Sequence, residues 1–164
     1  MIIYLTCHGE TEWNKKEILQ GHKDSNLTKK GKLSAESKGE SLINKKIQII
    51  YSSDLGRCLS TANIINKYTK VKIIKTSKLR EMNFGEFNGK QNEIFLKEFD
   101  LRNIYKKTPN GESFSDFRKR IIEFLKFLNK KKYKKVLLIT HNGVAKVILN
   151  KSRISKDLLY KTKL

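Results

Sequence analysis

Two apolar runs constrain this chain more than anything else in it. Ile2-Ile3-Tyr4-Leu5 leads into Thr6-Cys7-His8-Gly9 near the start, and Val136-Leu137-Leu138-Ile139 leads into Thr140-His141-Asn142-Gly143 far downstream. Both read as short hydrophobic strands that hand over to a loop at a histidine. In open α/β sheets ligands bind outside the carboxyl ends of the strands, so two histidines delivered to that edge can meet in one pocket.

The rest of the chain supplies the layers such a sheet needs. Further strand-like segments run from Ile47 to Ser52 and from Val71 to Lys75, beside those from Ile2 to Thr6 and Val136 to Thr140. Helical patterns fill the gaps. Thr28 can cap a helix through Lys32 to Ile43, and Ser53 or Asp54 can cap another whose apolar residues Leu55, Cys58, Leu59, Ala62 and Ile65 repeat at helical spacing, with Arg57 off that stripe. A long helix follows Ser113 or Ser115, turning Phe117, Ile121, Phe124, Leu125 and Leu128 inward. Alternating strands and helices predict an α/β three-layer sandwich, a mostly parallel central sheet flanked by helices on both faces. The stretch from Arg80 to Pro109 is less regular, and its aromatics Phe84, Phe87, Phe95 and Phe99 suggest a packed flap over the sheet edge.

At 164 residues the chain fits a single domain, 1–164, with a sizeable core. Its apolar runs are far shorter than the roughly 20 residues of a membrane span, so no membrane partner is expected. The start, Met1-Ile2-Ile3-Tyr4, lacks a basic leader and a small-residue cleavage site, which makes the cytosol the default location. Cys7 and Cys58 are too few for a disulfide framework or a zinc site, and no metal is expected. The formal charge of +20 invites a nucleic-acid reading. Yet only six of the 36 basic residues are Arg, and the Lys residues are scattered without a matching motif, so dedicated nucleic-acid binding is not expected. A positive surface would still draw small phosphorylated anions inward.

Neutral imidazole is a competent nucleophile near pH 7 and can carry a phosphoryl group covalently. Such chemistry needs cations or N–H donors around the phosphoryl oxygens and an acid for the leaving oxygen. His8 can attack with His141 assisting, Arg57 at the first turn of a helix can face the anion, and Glu81 in a loop after a strand can be the acid. Each signal alone has a plainer reading. A histidine at a strand end is more often structural, and a Glu between Arg80 and Met82 is more often a surface ion-pair partner.

Together and in order, five motifs resemble the histidine phosphatase superfamily, also called phosphoglycerate mutase-like. They are His8-Gly9-Glu10-Thr11-Glu12-Trp13-Asn14, the run from Leu19-Gln20-Gly21-His22 to Gly31, Ser52-Ser53-Asp54-Leu55-Gly56-Arg57-Cys58, Leu79-Arg80-Glu81 with Phe84-Gly85, and Thr140-His141-Asn142-Gly143-Val144. The resemblance spans nearly the whole chain. It implies that His8 becomes phosphohistidine, that Arg57 and His141 are phosphate-pocket cations, and that Glu81 donates a proton and later activates water. It further implies that Asn14, Gln20 and Gly21 line the pocket or hold substrate, and that no cofactor or metal is used.

Three departures from the family pattern bear on activity. The family begins its first motif with Arg-His-Gly, and this chain has Cys7, which brings no positive charge to the phosphoryl group. Arginine stabilisation of phosphoryl transfer can reach about 10³ to 10⁵ in rate, so weakened or absent catalysis is expected. Relatives continue past the segment resembling residues 157–164 into at least one more strand, so a truncated C-terminus, a missing strand and an exposed sheet edge open to self-association as a homodimer are expected. Asn142 stands where a small residue is commoner. Mutases of the family carry a longer insertion between the acid and the second histidine, and the short segment from Glu81 to His141 favours a phosphatase acting on a small phosphorylated metabolite such as α-ribazole phosphate, phosphoserine, a sugar phosphate or phosphoglycerate. The alternatives are a noncatalytic pseudophosphatase that binds phosphorylated ligands and, behind it, a phosphoglycerate mutase.

Overall fold

The computed structural model describes residues 1–100, 102–155 and 158–164. Leu101 in the irregular stretch and Asp157 at the start of the terminal segment lie outside the described residues. The elements in chain order are β1 (Ile2–Cys7), α1 (Glu12–Lys15), α2 (Lys29–Leu42), β2 (Ile49–Ser53), α3 (Gly56–Thr69), β3 (Ile73–Thr76), α4 (Asn92–Glu98), α5 (Phe114–Asn129), β4 (Lys135–Thr140), α6 (Asn142–Leu149) and β5 (Tyr160–Lys163). The strands form one sheet in the order β3-β2-β4-β1-β5, parallel throughout except for β5.

Alternation along the strands sorts the core into two layers, because successive side chains point to opposite faces. Ile3, Leu5 and Cys7 of β1 join Tyr51, Val136 and Leu138 under Phe117, Ile121, Phe124 and Leu128 of α5 and Val144 and Ala145 of α6. Tyr4, Ile50, Leu137 and Ile139 face the other way, onto Ala35 and Leu42 of α2 and Cys58, Ala62 and Ile65 of α3. The predicted three-layer α/β sandwich is thus the fold. Strands β1 and β4 are buried along nearly their whole length, as central strands covered on both faces must be.

One local expectation is corrected. Neither Ser53 nor Asp54 caps α3: Ser53 is the last residue of β2, and the N-cap is Leu55, whose side chain makes no capping bond. Asp24, from a distant loop, takes the place of a local cap by accepting from the backbone N–H of Gly56 at 2.7 Å and of Arg57 at 3.2 Å. Within the terminal segment Tyr160–Lys163 forms β5, which pairs antiparallel with β1 and is the outer strand on that side of the sheet. Its pairing pins the final residues, with Tyr160 and Thr162 half-buried and Lys161 and Lys163 exposed.

The flap forms as expected. Phe87, Phe95 and Phe99 make a third apolar cluster with Leu19 and Phe84 against it. Backbone bonds from Leu19 N–H to the Lys90 carbonyl and from Gly89 N–H to the Leu19 carbonyl bind the flap to the loop after α1. No helix among the described residues is long and apolar enough to cross a membrane.

Candidate functional site

Strands β1 and β4 lie side by side in register, Cys7 opposite Thr140, so the chain leaves both at the same level of the sheet edge. The His8 N–H continues the ladder by donating to the Thr140 carbonyl at 2.9 Å. The two imidazoles meet there, ring centroids 5.3 Å apart and edge to face. Their environments differ. His8 is buried but lines a cavity of about 310 Å³, while His141 is wholly enclosed behind it.

His8 Nδ1 lies 2.7 Å from the carbonyl oxygen of Gly9. A carbonyl only accepts, so Nδ1 carries the proton and Nε2 holds the lone pair. The turn that sets this geometry is fixed from α3: Gly9 N–H donates to Thr61 Oγ1 at 3.0 Å, and that hydroxyl donates to the Arg57 carbonyl. His141 Nε2 is 2.9 Å from Ser53 Oγ and 3.4 Å from Cys58 Sγ. Burial, reinforced by the Arg57 charge and by His8, holds its pKa well below the ordinary value. Burial therefore disfavours the charged ring that the sequence resemblance implies.

Arg57 lines the same cavity and is 2% exposed. Its Nη1 donates to the Lys23 carbonyl at 2.7 Å and to Asp24 Oδ1 at 2.8 Å, and its Nη2 donates to the Gly21 carbonyl at 2.8 Å. Its Nε–H is buried and has no hydrogen-bond partner among the described residues. Gly21 is needed in its left-handed conformation, φ +49°, to turn that carbonyl toward the guanidinium, and a side chain there would strike Asn88.

Glu81 lines the same cavity. Its carboxylate accepts from the Met82 N–H at 3.0 Å and from the Gly143 N–H at 3.0 Å, so it sits at the first turn of α6, where a negative charge suits the helix dipole. Its carbonyl is clamped from behind by Arg120 Nη2 at 2.8 Å and His22 Nε2 at 3.0 Å, and Glu112 holds Arg120 with paired bonds of 2.7 and 3.0 Å. Burial lowers the His22 pKa.

Of the nine residues singled out from the sequence, His8, Asn14, Gln20, Gly21, Arg57, Glu81 and Asn142 line the cavity. Cys7 and His141 do not. Cys7 is 2% exposed in the core layer beneath α5 and α6. Asn14 and Gln20 are partly committed to structure: Asn14 closes a capping box with Thr11, and Gln20 Nε2 donates to Thr11 Oγ1 at 2.9 Å. Asn142 Oδ1 is buried and has no hydrogen-bond partner among the described residues. The flap cations Lys90, Lys97, Arg102 and Lys106 do not line the cavity; they sit over Phe87, on Glu93, on Asp100 and over Phe99 respectively.

Sequence reasoning missed Asp24, Thr61 and Lys146. Asp24 and Thr61 act across contacts distant in sequence, which no local pattern reveals. Lys146 lines the cavity one turn after Gly143 on α6, and reading helical spacing onward from His141 would have found it. Among the described residues no cluster of His, Cys, Asp and Glu could hold a metal ion. The set can therefore surround an anion with a buried guanidinium, a lysine and a basic imidazole nitrogen, with a carboxyl group in the same cavity.

Comparisons with known proteins point to one family. The sequence profile of the histidine phosphatase superfamily (branch 1) matches residues 3–157. The chain is 34% identical over 156 residues to a protein of Hydrogenobacter thermophilus named "Putative phosphoserine phosphatase 2", covering 90% of this chain and 76% of that one. It is 36% identical over 126 residues to a "Probable phosphoglycerate mutase GpmB" of Salmonella arizonae, covering 73% of this chain but only 59% of the relative's length. The crystal structure of a "putative alpha-ribazole-5'-P phosphatase" from Escherichia coli superimposes with a TM-score of 0.83 at 25% identity, over 92% of this chain and 78% of that one.

Proposed function

The chain belongs to the histidine phosphatase superfamily, and on that premise we propose that it hydrolyses a small phosphomonoester through a phosphohistidine at His8. His8 Nε2 attacks phosphorus in line, the ester P–O bond breaks, and Glu81 in its protonated form gives its proton to the departing alcohol oxygen. Glu81, now a carboxylate, takes a proton from water as that water attacks phosphorus. The N–P bond breaks, and phosphate leaves with His8 Nε2 restored.

The observation that carries this reading is the Nε–H of Arg57, a buried donor with no partner among the described residues, on a fixed guanidinium that lines the same cavity as His8. Leaving such a donor unsatisfied costs about 1–3 kcal/mol, and a phosphoryl oxygen would satisfy it. His141 contributes as a neutral donor or acceptor behind His8. Asn14, Gln20, Gly21 and Asn142 shape the walls. The phosphatase is preferred to the mutase because, among the described residues, the segment from Glu81 to His141 holds only the flap, α5 and β4, shorter than the insertion that the mutases of the family carry.

A second reading, binding of phosphorylated ligands without turnover, is favoured by one observation. Cys7 ends β1 beside the nucleophile and adds no charge to the pocket. Hydrolysis of an aryl phosphate by the chain, by Cys7→Arg and by His8→Ala separates the two. Turnover that requires His8 supports the phosphatase, and saturable phosphate binding with no turnover in either the chain or Cys7→Arg supports the second reading.

A further inference from the structure

A second cavity, of about 430 Å³, adjoins the first and shares Gly143 and Lys146 with it. Arg118 of α5, Lys146 of α6 and Lys151 beyond it all line it, together with Phe114 and Val147, and among the described residues no carboxylate is in its wall. Among the described residues none of the three cations is in an ion pair, and Lys151 rests over the Tyr160 ring with its Nζ 6.0 Å from the centroid. Elsewhere on the surface many cations are neutralised by neighbours, as Lys97 is by Glu93 and Arg102 by Asp100.

Position gives this cavity its meaning, and the inference rests on the phosphatase reading above. Glu81 is hydrogen-bonded to the Gly143 N–H, so a leaving oxygen that takes its proton lies against the start of α6. The group attached to that oxygen then runs along the helix face formed by Gly143, Lys146, Val147 and Asn150, whose spacing of three, four and seven residues spans about 10 Å. That path ends among the cations. We infer that the second cavity holds an anionic group on the alcohol part of the substrate. The substrate class is a phosphomonoester carrying a second anion, carboxylate or phosphate, at the far end of a leaving group several atoms long.

Calorimetric titration of the full chain with pentyl phosphate and with 5-(phosphonooxy)pentanoate tests this, since the two esters match in length and differ in the terminal carboxylate. One charge-assisted contact predicts about tenfold tighter binding of the carboxylate ester. The preference should vanish in Arg118→Met/Lys151→Met and survive in Arg118→Lys. The double variant leaves the general positive field of a +20 chain nearly intact, so loss of preference there identifies the local cavity. Equal affinities in the unmodified chain, or a preference undiminished in the double variant, would overturn the inference while leaving the phosphate site standing. Failure of both esters to bind would overturn the phosphate reading and this inference together.

Discussion

Asp24 governs Arg57 twice over, accepting from its guanidinium at 2.8 Å and from its backbone N–H at 3.2 Å. One carboxylate thus caps α3 and aims the cation that the helix begins with. The Arg57 side chain is 1% exposed and that of Asp24 is 36% exposed, so removing Asp24 strands a buried charge. Asp24→Ala is expected to destabilise the fold by about 1–3 kcal/mol and to lower aryl phosphate kcat/KM by at least about tenfold through Arg57. Urea denaturation and steady-state kinetics check both. Unchanged stability would mean that the Gly21 and Lys23 carbonyls alone hold the guanidinium.

His141 gives the fold a pH dependence whose sign is fixed. Its folded-state pKa is well below 6.5, chiefly through burial, so between those values the unfolded chain binds more protons than the folded one. Stability is therefore full above about 6.5 and is lost as pH falls toward the folded pKa. The lowered pKa of His22, also set by burial, acts in the same direction. Denaturation midpoints should fall as pH drops from 7 to 5, and His141→Asn should flatten much of that slope. A midpoint independent of pH in this window would contradict the burial assigned to His141.

Much of this was legible in the sequence, and the failures share a cause. β1, β4 and α5 were readable because their side chains repeat with the period of the element, and Ser113 does cap α5, accepting from the Asp116 N–H. β5 was not, because Tyr160-Lys161-Thr162-Lys163 offers only two inward residues and looks like a basic tail until β1 is beside it. Asp54 looked like a cap for α3, but its carboxylate is taken by a paired bond from Arg80 at 2.6 and 2.7 Å. At the site, His8, Arg57 and Glu81 stood in recognisable motifs. Asp24, Thr61 and Arg120, which position them, act across contacts that exist only once the chain has folded.

Gly143 lies where Glu81 presses against α6. A methyl group there would collide with Glu81 Oε1 and crowd Phe117. Alanine is the better helix former by up to about 1 kcal/mol, so Gly143→Ala should retain most of its stability while displacing the acid. A fall in kcat of about 10²-fold, the lower range for general acid catalysis, is expected. Parallel thermal melts and kinetics decide it, and an unaltered kcat would remove Glu81 from its proposed role.

Cys7 tests whether a missing positive charge limits the reaction. The family pattern implies an arginine here, and Cys7→Arg should raise aryl phosphate kcat/KM by about 10³, the lower bound for an arginine acting on a transferring phosphoryl group. Because Cys7 is packed under α5 and α6, near-ultraviolet circular dichroism should accompany the assay. A folded Cys7→Arg protein with no gain would show that the charge is not what limits the reaction.

The claim at the centre is a covalent bond between phosphorus and His8 Nε2. The chain and its Cys7→Arg variant should be incubated with a phosphomonoester labelled in phosphorus, quenched in alkali and mapped by mass spectrometry. The account predicts an acid-labile, alkali-stable phosphoryl group on the peptide containing His8, absent from His8→Ala. Turnover without that adduct, or an equal adduct in His8→Ala, would contradict it.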